Sequence, residues 1–135
     1  MKPTIAQLAA ALIAVFEGPE KLVAFLDTGG VATIGRGHTA GVHLGQTCTH
    51  EQAVAWFEAD QAPLLSMVEG QPLFAGAAYV DFGYNCGHGA LDAVLKNEGS
   101  IADPKHTIDR HGVVQPGLVS RRALELLMIA GDAAR

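Results

Sequence analysis

Glu17, Asp27 and Thr33 fall within one stretch, Glu17-Gly-Pro-Glu-Lys-Leu-Val-Ala-Phe-Leu-Asp27-Thr-Gly-Gly-Val-Ala-Thr33-Ile-Gly-Arg-Gly-His38-Thr39. Two carboxylates and a hydroxyl suit acid–base cleavage of a glycosidic bond. One carboxyl gives its proton to the leaving oxygen, and the other draws a proton from the attacking water. Such chemistry needs the two groups held apart in different surroundings, so the elements that carry them matter as much as the residue types.

Gly18 and Pro19 follow Glu17 directly, and this pair ends helices, so Glu17 is read as the last helical residue. There it meets the negative end of the helix dipole behind apolar Val15 and Phe16, and both dipole and desolvation disfavour ionisation, as a general acid requires. Asp27 closes the run Leu22 to Leu26, and Gly29-Gly30 supplies the positive-φ positions of a hairpin turn. Loop length decides which side chains meet. A two-residue loop puts Asp27 opposite Ala32 and turns Thr33 away. A three-residue loop, Thr28-Gly29-Gly30, puts Asp27 opposite Val31 and leaves Asp27 and Thr33 on one face. The three-residue loop is expected, with Gly30 left-handed.

These residues resemble a family. Phe16-Glu17-Gly18, then Phe25-Leu26-Asp27, then the block Gly30 to Thr39 are similar to the phage-type lysozymes, glycoside hydrolase family 24, which bacteriophages use as endolysins. Supporting blocks are Gly41-Val42 with Gly45, Gln52-Ala53 with Asp60, Asp81 to Gly87, and Gly117 to Glu125. The resemblance implies an endolysin that hydrolyses the β-1,4 bond between N-acetylmuramic acid and N-acetylglucosamine in peptidoglycan, with inversion, for host cell lysis. It implies that Glu17 protonates the glycosidic oxygen and that Asp27 activates or orients a water with help from Thr33. An arginine is expected to approach the acid, either Arg121 or Arg122, and Tyr84 and Asn85 are candidates for sugar contacts. A buried aromatic and a capping Asn explain the last two almost as well. Nine residues separate Glu17 from Asp27 where the family commonly has one fewer, and a loop at Pro19 to Leu22 is expected to absorb the difference. His38 is read as a structural anchor.

Composition sets the outer bounds. With 135 residues, 49% of them hydrophobic and 17% charged, the chain reads as one domain able to build a sizeable core. A net charge of −5 argues against a nucleic-acid partner, which clustered Lys and Arg would serve. The nearest basic patch is Lys105, Arg110, Arg121 and Arg122, for most of which a solvated face is the default. The apolar run Ile5 to Phe16 imitates a signal peptide but is too short to span a bilayer and is interrupted by Gln7, so no stable membrane insertion is expected. A monomer is expected, made in the host cytoplasm and brought to the wall by another factor such as a holin pore. Cys48-Thr-His50 and Cys86-Gly-His88 have a spacing tighter than zinc motifs, so no metal or other cofactor is expected, and reduced thiols are favoured over a disulfide.

Along the chain, Thr4-x-x-Gln7 and Thr49-x-x-Gln52 are capping boxes that open helices. The first helix covers about Thr4 to Glu17, the hairpin about Leu22 to Gly37, and Gly41 to Cys48 is an irregular crossing. The second helix bears Ala53, Trp56 and Phe57 at core spacing and is kinked or split at Pro63. Pro72 opens a third helix with Phe74, Ala77, Ala78 and Phe82 inward. A short helix, about Leu91 to Asn97, and a loop-rich stretch, Glu98 to Gly117, follow. The last helix, about Val119 to Ile129, is expected to face the core with Leu124, Leu127 and Met128. The result is an α+β, lysozyme-like fold, mostly helical, in a single domain. A small hairpin lobe (about 18–48) and a helical lobe (about 49–135 plus the first helix) leave a cleft between them. Two rival readings share this fold: a lytic transglycosylase, against which Asp27 and Thr33 argue, and a non-catalytic wall-binding module.

Overall fold

The computed structural model describes residues 1–134; Arg135, the end of the expected helical lobe, lies outside them. Helix α1 (Ile5–Glu17) leads into strands β1 (Lys21–Leu26) and β2 (Ala32–Gly35), followed by α2 (His50–Met67), α3 (Leu73–Cys86), α4 (His88–Leu95), a short 3-10 turn (Pro104–Thr107) and α5 (Pro116–Ala133). Both capping boxes form. Thr4 Oγ1 accepts from the Gln7 amide at 3.1 Å while Gln7 Oε1 accepts from the Thr4 amide at 3.0 Å, and Thr49 with Gln52 repeats the arrangement. Each box satisfies two of the donors that a helix start leaves open. Helix α3 has no such side chain at its start, and Asp132 of α5 supplies the missing acceptor, 2.6 Å from the Ala75 amide.

The hairpin has the expected three-residue loop. Phe25 pairs with Thr33 and Leu26 with Ala32, the Asp27 amide donates to the Val31 carbonyl, and the Gly30 amide closes the turn on the Asp27 carbonyl at 2.9 Å. Gly30 has φ +76°, where a side chain would be strained, and the Arg110 guanidinium packs where its Cβ would sit. The slack between helix and strand is short, only Gly18 to Glu20. The irregularity lies inside β1 instead: between the pairs Lys21–Gly35 and Phe25–Thr33, three residues of β1 (Leu22 to Ala24) lie opposite Ile34 alone. There the strand's other edge bonds to a third extended segment, with Ala24 N to Gln46 O and Cys48 N to Leu22 O, so the crossing after the hairpin partly completes the sheet.

The core is built around α3, which touches α1, α2, α4 and α5. Ala9 and Ile13 of α1, Phe57 and Leu64 of α2, Ala77, Val80 and Phe82 of α3, Leu91 of α4 and Ile101 form one buried cluster. Each large side chain removed from water there contributes roughly 1.5–3 kcal/mol. Phe74 is only half-buried. Pro63 does not split α2, which continues through it to Met67; the residue is exposed, and so is Ala59, whose carbonyl it leaves without a helical donor.

Helix α5 overturns one expectation. It starts at Pro116, and its buried residues are Arg121, Arg122 and Glu125, while Leu124 and Leu127 are 37% and 68% exposed and only Met128 of the expected stripe reaches the core. The solvated default for the basic patch fails for the same two arginines. The cause is on α3, where Asp81 is fully buried and accepts from Arg121 Nη2 at 2.7 Å and Nε at 2.9 Å. A buried carboxylate needs a cation and its hydrogen bonds, so it turns the charged face of α5 inward.

Next to this pair, Arg122 Nη2 donates to Glu125 Oε2 at 2.9 Å; the second arm, Nε to Oε1 at 2.7 Å, is close but poorly aligned. Burial, a hydrogen bond with Asp81 and Asp81's charge push the Glu125 carboxyl up to about 9, against the pull of Arg122. The native state therefore keeps a proton that an unfolded glutamate gives up near 4.5. Stability from this group is complete below that value and drains away as pH rises toward 9, by roughly 1 kcal/mol per pH unit at the steepest. Glu125→Gln keeps a donor for Asp81 and needs no proton. Urea denaturation at pH 5.5, 7 and 8.5 should show the wild type losing stability across the series and Glu125→Gln losing distinctly less.

Candidate active site

Helix α1 ends at Glu17, with Gly18 as its cap residue. The side chain is about one-quarter exposed and its Oε1 accepts from Arg121 Nη1 at 3.2 Å. The cation that α5 places against this oxygen comes from 104 positions away and leaves no signal in the residues around Glu17. Arg121 also lies over the Phe16 ring, 5.2 Å from its centroid. Of the two nominated arginines it is the one that reaches Glu17. Arg122 points elsewhere, donating to Asn85 Oδ1 at 2.8 Å and to the His106 carbonyl and lying over Phe82.

On the hairpin, the register places Asp27 and Thr33 on one face. Asp27 Oδ1 accepts from the Val31 amide at 2.8 Å, and the Thr33 hydroxyl donates to the Val31 carbonyl at 2.9 Å. Each side chain is thus pinned by the turn it belongs to, and each keeps lone pairs free of that bond. Glu17, Asp27 and Thr33 line one cleft of about 280 Å³ together with Phe16, Gly37, Thr39, Tyr84, Asn85, Gln115, Leu118 and Arg121. Neighbouring hollows share Gly37, Thr39 and Tyr84 on one side and Asp27, Thr28, Asn85 and Leu118 on the other, so the cleft is the middle of a longer groove. A larger, mainly apolar hollow of about 520 Å³ lies on the opposite side of Glu17, but it holds neither Asp27 nor Thr33. The smaller cleft brings both carboxyls and the Thr33 hydroxyl together.

The walls are fixed by contacts outside the cleft. His38 Nδ1 lies 2.6 Å from Asp60 Oδ2 and its ring stacks on Trp56 with centroids 4.7 Å apart, tying the end of the hairpin to α2. Tyr84 is mostly buried and donates its hydroxyl to the Arg36 carbonyl at 2.9 Å, so it offers the cleft a ring edge while its polar end is used elsewhere. Burial raises its hydroxyl above the usual range. Asn85 is exposed and presents its amide beside the groove. Gly37 was not singled out from the sequence. A Cβ there would stand 3.1 Å from the Glu17 carboxyl carbon and 3.0 Å from the Tyr84 ring, at φ +101°. Gly37→Ala should displace Glu17 and cost about 100-fold in lytic rate, with far-UV circular dichroism unchanged; a rate within twofold of wild type would contradict this.

The two thiols are free, Cys48 against the Lys21 carbonyl and Cys86 beside Arg122 at the end of α3. Burial pushes the Cys86 thiol up. No group of three or more metal-ligating side chains occurs among the described residues.

A family model described as phage lysozyme matches residues 14–125. Among solved structures, an endolysin from Escherichia coli O157:H7 phage FAHEc1 superposes with a TM-score of 0.68 at 24% identity, covering 98% of this chain and 96% of that one. The active form of the P1 phage endolysin Lyz gives 0.67 at 22% identity over 94% and 85% of the two chains. The muramidase domain of SpmX from Asticaccaulis excentricus gives 0.66 at 25% identity over 95% and 98%. No curated protein sequence matches the chain at a significant level.

Proposed function

We infer the reaction from the premise that this chain belongs to the phage lysozyme family. It is a lysozyme-type glycoside hydrolase, an endolysin that degrades peptidoglycan. The bond we assign to it is the β-1,4 link from N-acetylmuramic acid to N-acetylglucosamine. The observation that carries the assignment is one cleft lined by a helix-end carboxyl together with a carboxylate and a hydroxyl on a single hairpin face.

Glu17 is the acid. Arg121 engages Oε1, leaving Oε2 to carry the proton to the leaving oxygen. Asp27 and Thr33 hold the water. The Thr33 proton is committed to the Val31 carbonyl and Asp27 Oδ1 to the Val31 amide, so both side chains act toward the cleft as acceptors. A water donating to Thr33 Oγ1 and Asp27 Oδ2 has both protons engaged and turns a lone pair toward the anomeric carbon. Asp27 takes one of those protons as the carbon–oxygen bond forms. Attack from the face opposite the departing oxygen inverts the configuration. The groove on either side accommodates the continuing glycan strand, with Tyr84 and Asn85 against it.

No helix among the described residues is long and apolar enough to cross a membrane. We place the enzyme in the host cytoplasm as a monomer until another factor gives it access to the wall. Mass spectrometry of purified peptidoglycan digested with wild type and Glu17→Gln in parallel tests the reaction. Muropeptides with reducing ends from the wild type alone are expected. Anhydro-muramyl products would mean a transglycosylase, and binding without products would mean a wall-binding module.

A further inference from the structure

We propose that Asp81 is a positioning residue for the acid step: from the middle of α3 it grips two nitrogens of Arg121, and so fixes where the third meets Glu17 and how much positive charge Glu17 feels. The proposal rests on the reading of Glu17 as the acid.

The geometry is that of a fork with one free tine. Asp81 takes Nε and Nη2 of Arg121 at 2.9 and 2.7 Å, and Nη1 remains for Glu17 at 3.2 Å. Guanidinium is planar, so binding one edge to a fixed carboxylate fixes the direction of the remaining N–H. Asp81 is fully buried and Arg121 only 3% exposed, so water cannot replace either as the other's partner, and the Phe16 ring closes one face. An arginine standing alone against a carboxyl strongly favours the ionised form, which is the wrong form for an acid. The Asp81 carboxylate offsets that charge from the far side of the same guanidinium.

Other titratable or charged groups around Glu17 are the neutral Tyr84 hydroxyl from α3, Asp27 from the hairpin turn, and Glu20 with Arg36 on the far side of the carboxyl. Glu20 is itself paired with Arg36 and His50. From α5, Glu125 meets Asp81 by a hydrogen bond, and Arg122 lies beyond it, paired with Glu125. Asp81 alone links directly to the guanidinium that touches Glu17.

The test is the pH dependence of kcat/KM for peptidoglycan solubilisation, with folding checked by circular dichroism. The basic limb reports loss of the acid's proton. In Asp81→Asn the limb should move down by about one pH unit, because Arg121 now acts on Glu17 unopposed, while the acidic limb stays in place. Asp81→Glu keeps the charge and should hold the limb near its wild-type position at a lower rate. A folded Asp81→Asn with an unmoved limb overturns the proposal, as does an Asp81→Glu limb displaced as far as that of Asp81→Asn. If Asp81→Asn fails to fold, Asp81→Glu decides alone: a limb in place supports the proposal and a displaced one overturns it. Glu17→Gln assayed in parallel separates the two readings. Inactivity there with an unmoved Asp81→Asn limb defeats this proposal only, whereas full activity defeats the acid assignment and the proposal with it.

Discussion

Glu17→Gln should fold as the wild type does and lose at least 100- to 10,000-fold in lytic rate, the usual contribution of a positioned acid. The substitution keeps the shape of the side chain and an oxygen for Arg121 Nη1, so the contact at 3.2 Å survives in weaker, neutral form. What disappears is the transferable proton. An amide cannot protonate a departing sugar oxygen, and Asp27, the other carboxyl among the residues lining the cleft, serves the water; Tyr84 has committed its hydroxyl to the Arg36 carbonyl, and Thr33 has committed its own to Val31. Thr33→Ala, by contrast, removes one of two water acceptors and leaves Asp27, so its loss should be milder. Release of reducing ends from purified peptidoglycan, with thermal unfolding as the folding control, measures both. Wild-type rates from a folded Glu17→Gln would sink the assignment.

What the sequence revealed of this site is what short-range physics decides. The end of α1 at Glu17 follows from Gly18 and Pro19, the two helix starts from threonine and glutamine three apart, and the shared face of Asp27 and Thr33 from a loop length that two adjacent glycines make possible. Each rests on residues within about six positions of one another. The irregularity in β1 needed the Gln46 to Cys48 segment, which bonds its other edge, and could not be placed from the strand alone. The inward face of α5 needed still more distant information. Counting apolar residues favoured Leu124 and Leu127, yet the partner surface on α3 carries Asp81, forty positions before Arg121, and a buried charge outweighs an apolar stripe in deciding which face turns in. A signal was present. Asp81 interrupts the run Tyr79-Val80-Asp81-Phe82 on a helix otherwise buried there, and such an acid demands a cation from elsewhere in the chain. Arg121 or Arg122 was open because adjacent helical residues point about 100° apart, and only the packed structure says which of them meets α1 and which meets Asn85.

The same buried pair sets the largest expected effect on stability. Arg121→Met should destabilise the fold by about 3–5 kcal/mol, because it leaves Asp81 fully buried without the cation that takes up both its oxygens. Against a total stability of roughly 5–15 kcal/mol for an ordinary domain, that corresponds to a fall of roughly 10–20 °C in Tm. Arg122→Met is the instructive control. Its partner Glu125 already favours the protonated form, so losing Arg122 strands a neutral acid that still has Asp81 as hydrogen-bond partner, and the cost should be smaller despite similar burial. Replacing both members of the first pair, Arg121→Met with Asp81→Asn, removes both charges together. The double variant should therefore recover part of the loss, giving a favourable coupling in the mutant cycle. Urea unfolding at pH 7 of the wild type, Arg121→Met, Asp81→Asn, their double variant and Arg122→Met measures both. Equal losses from Arg121→Met and Arg122→Met, or strict additivity in the cycle, would show that packing alone, and not the buried charge of Asp81, holds α5 against α3.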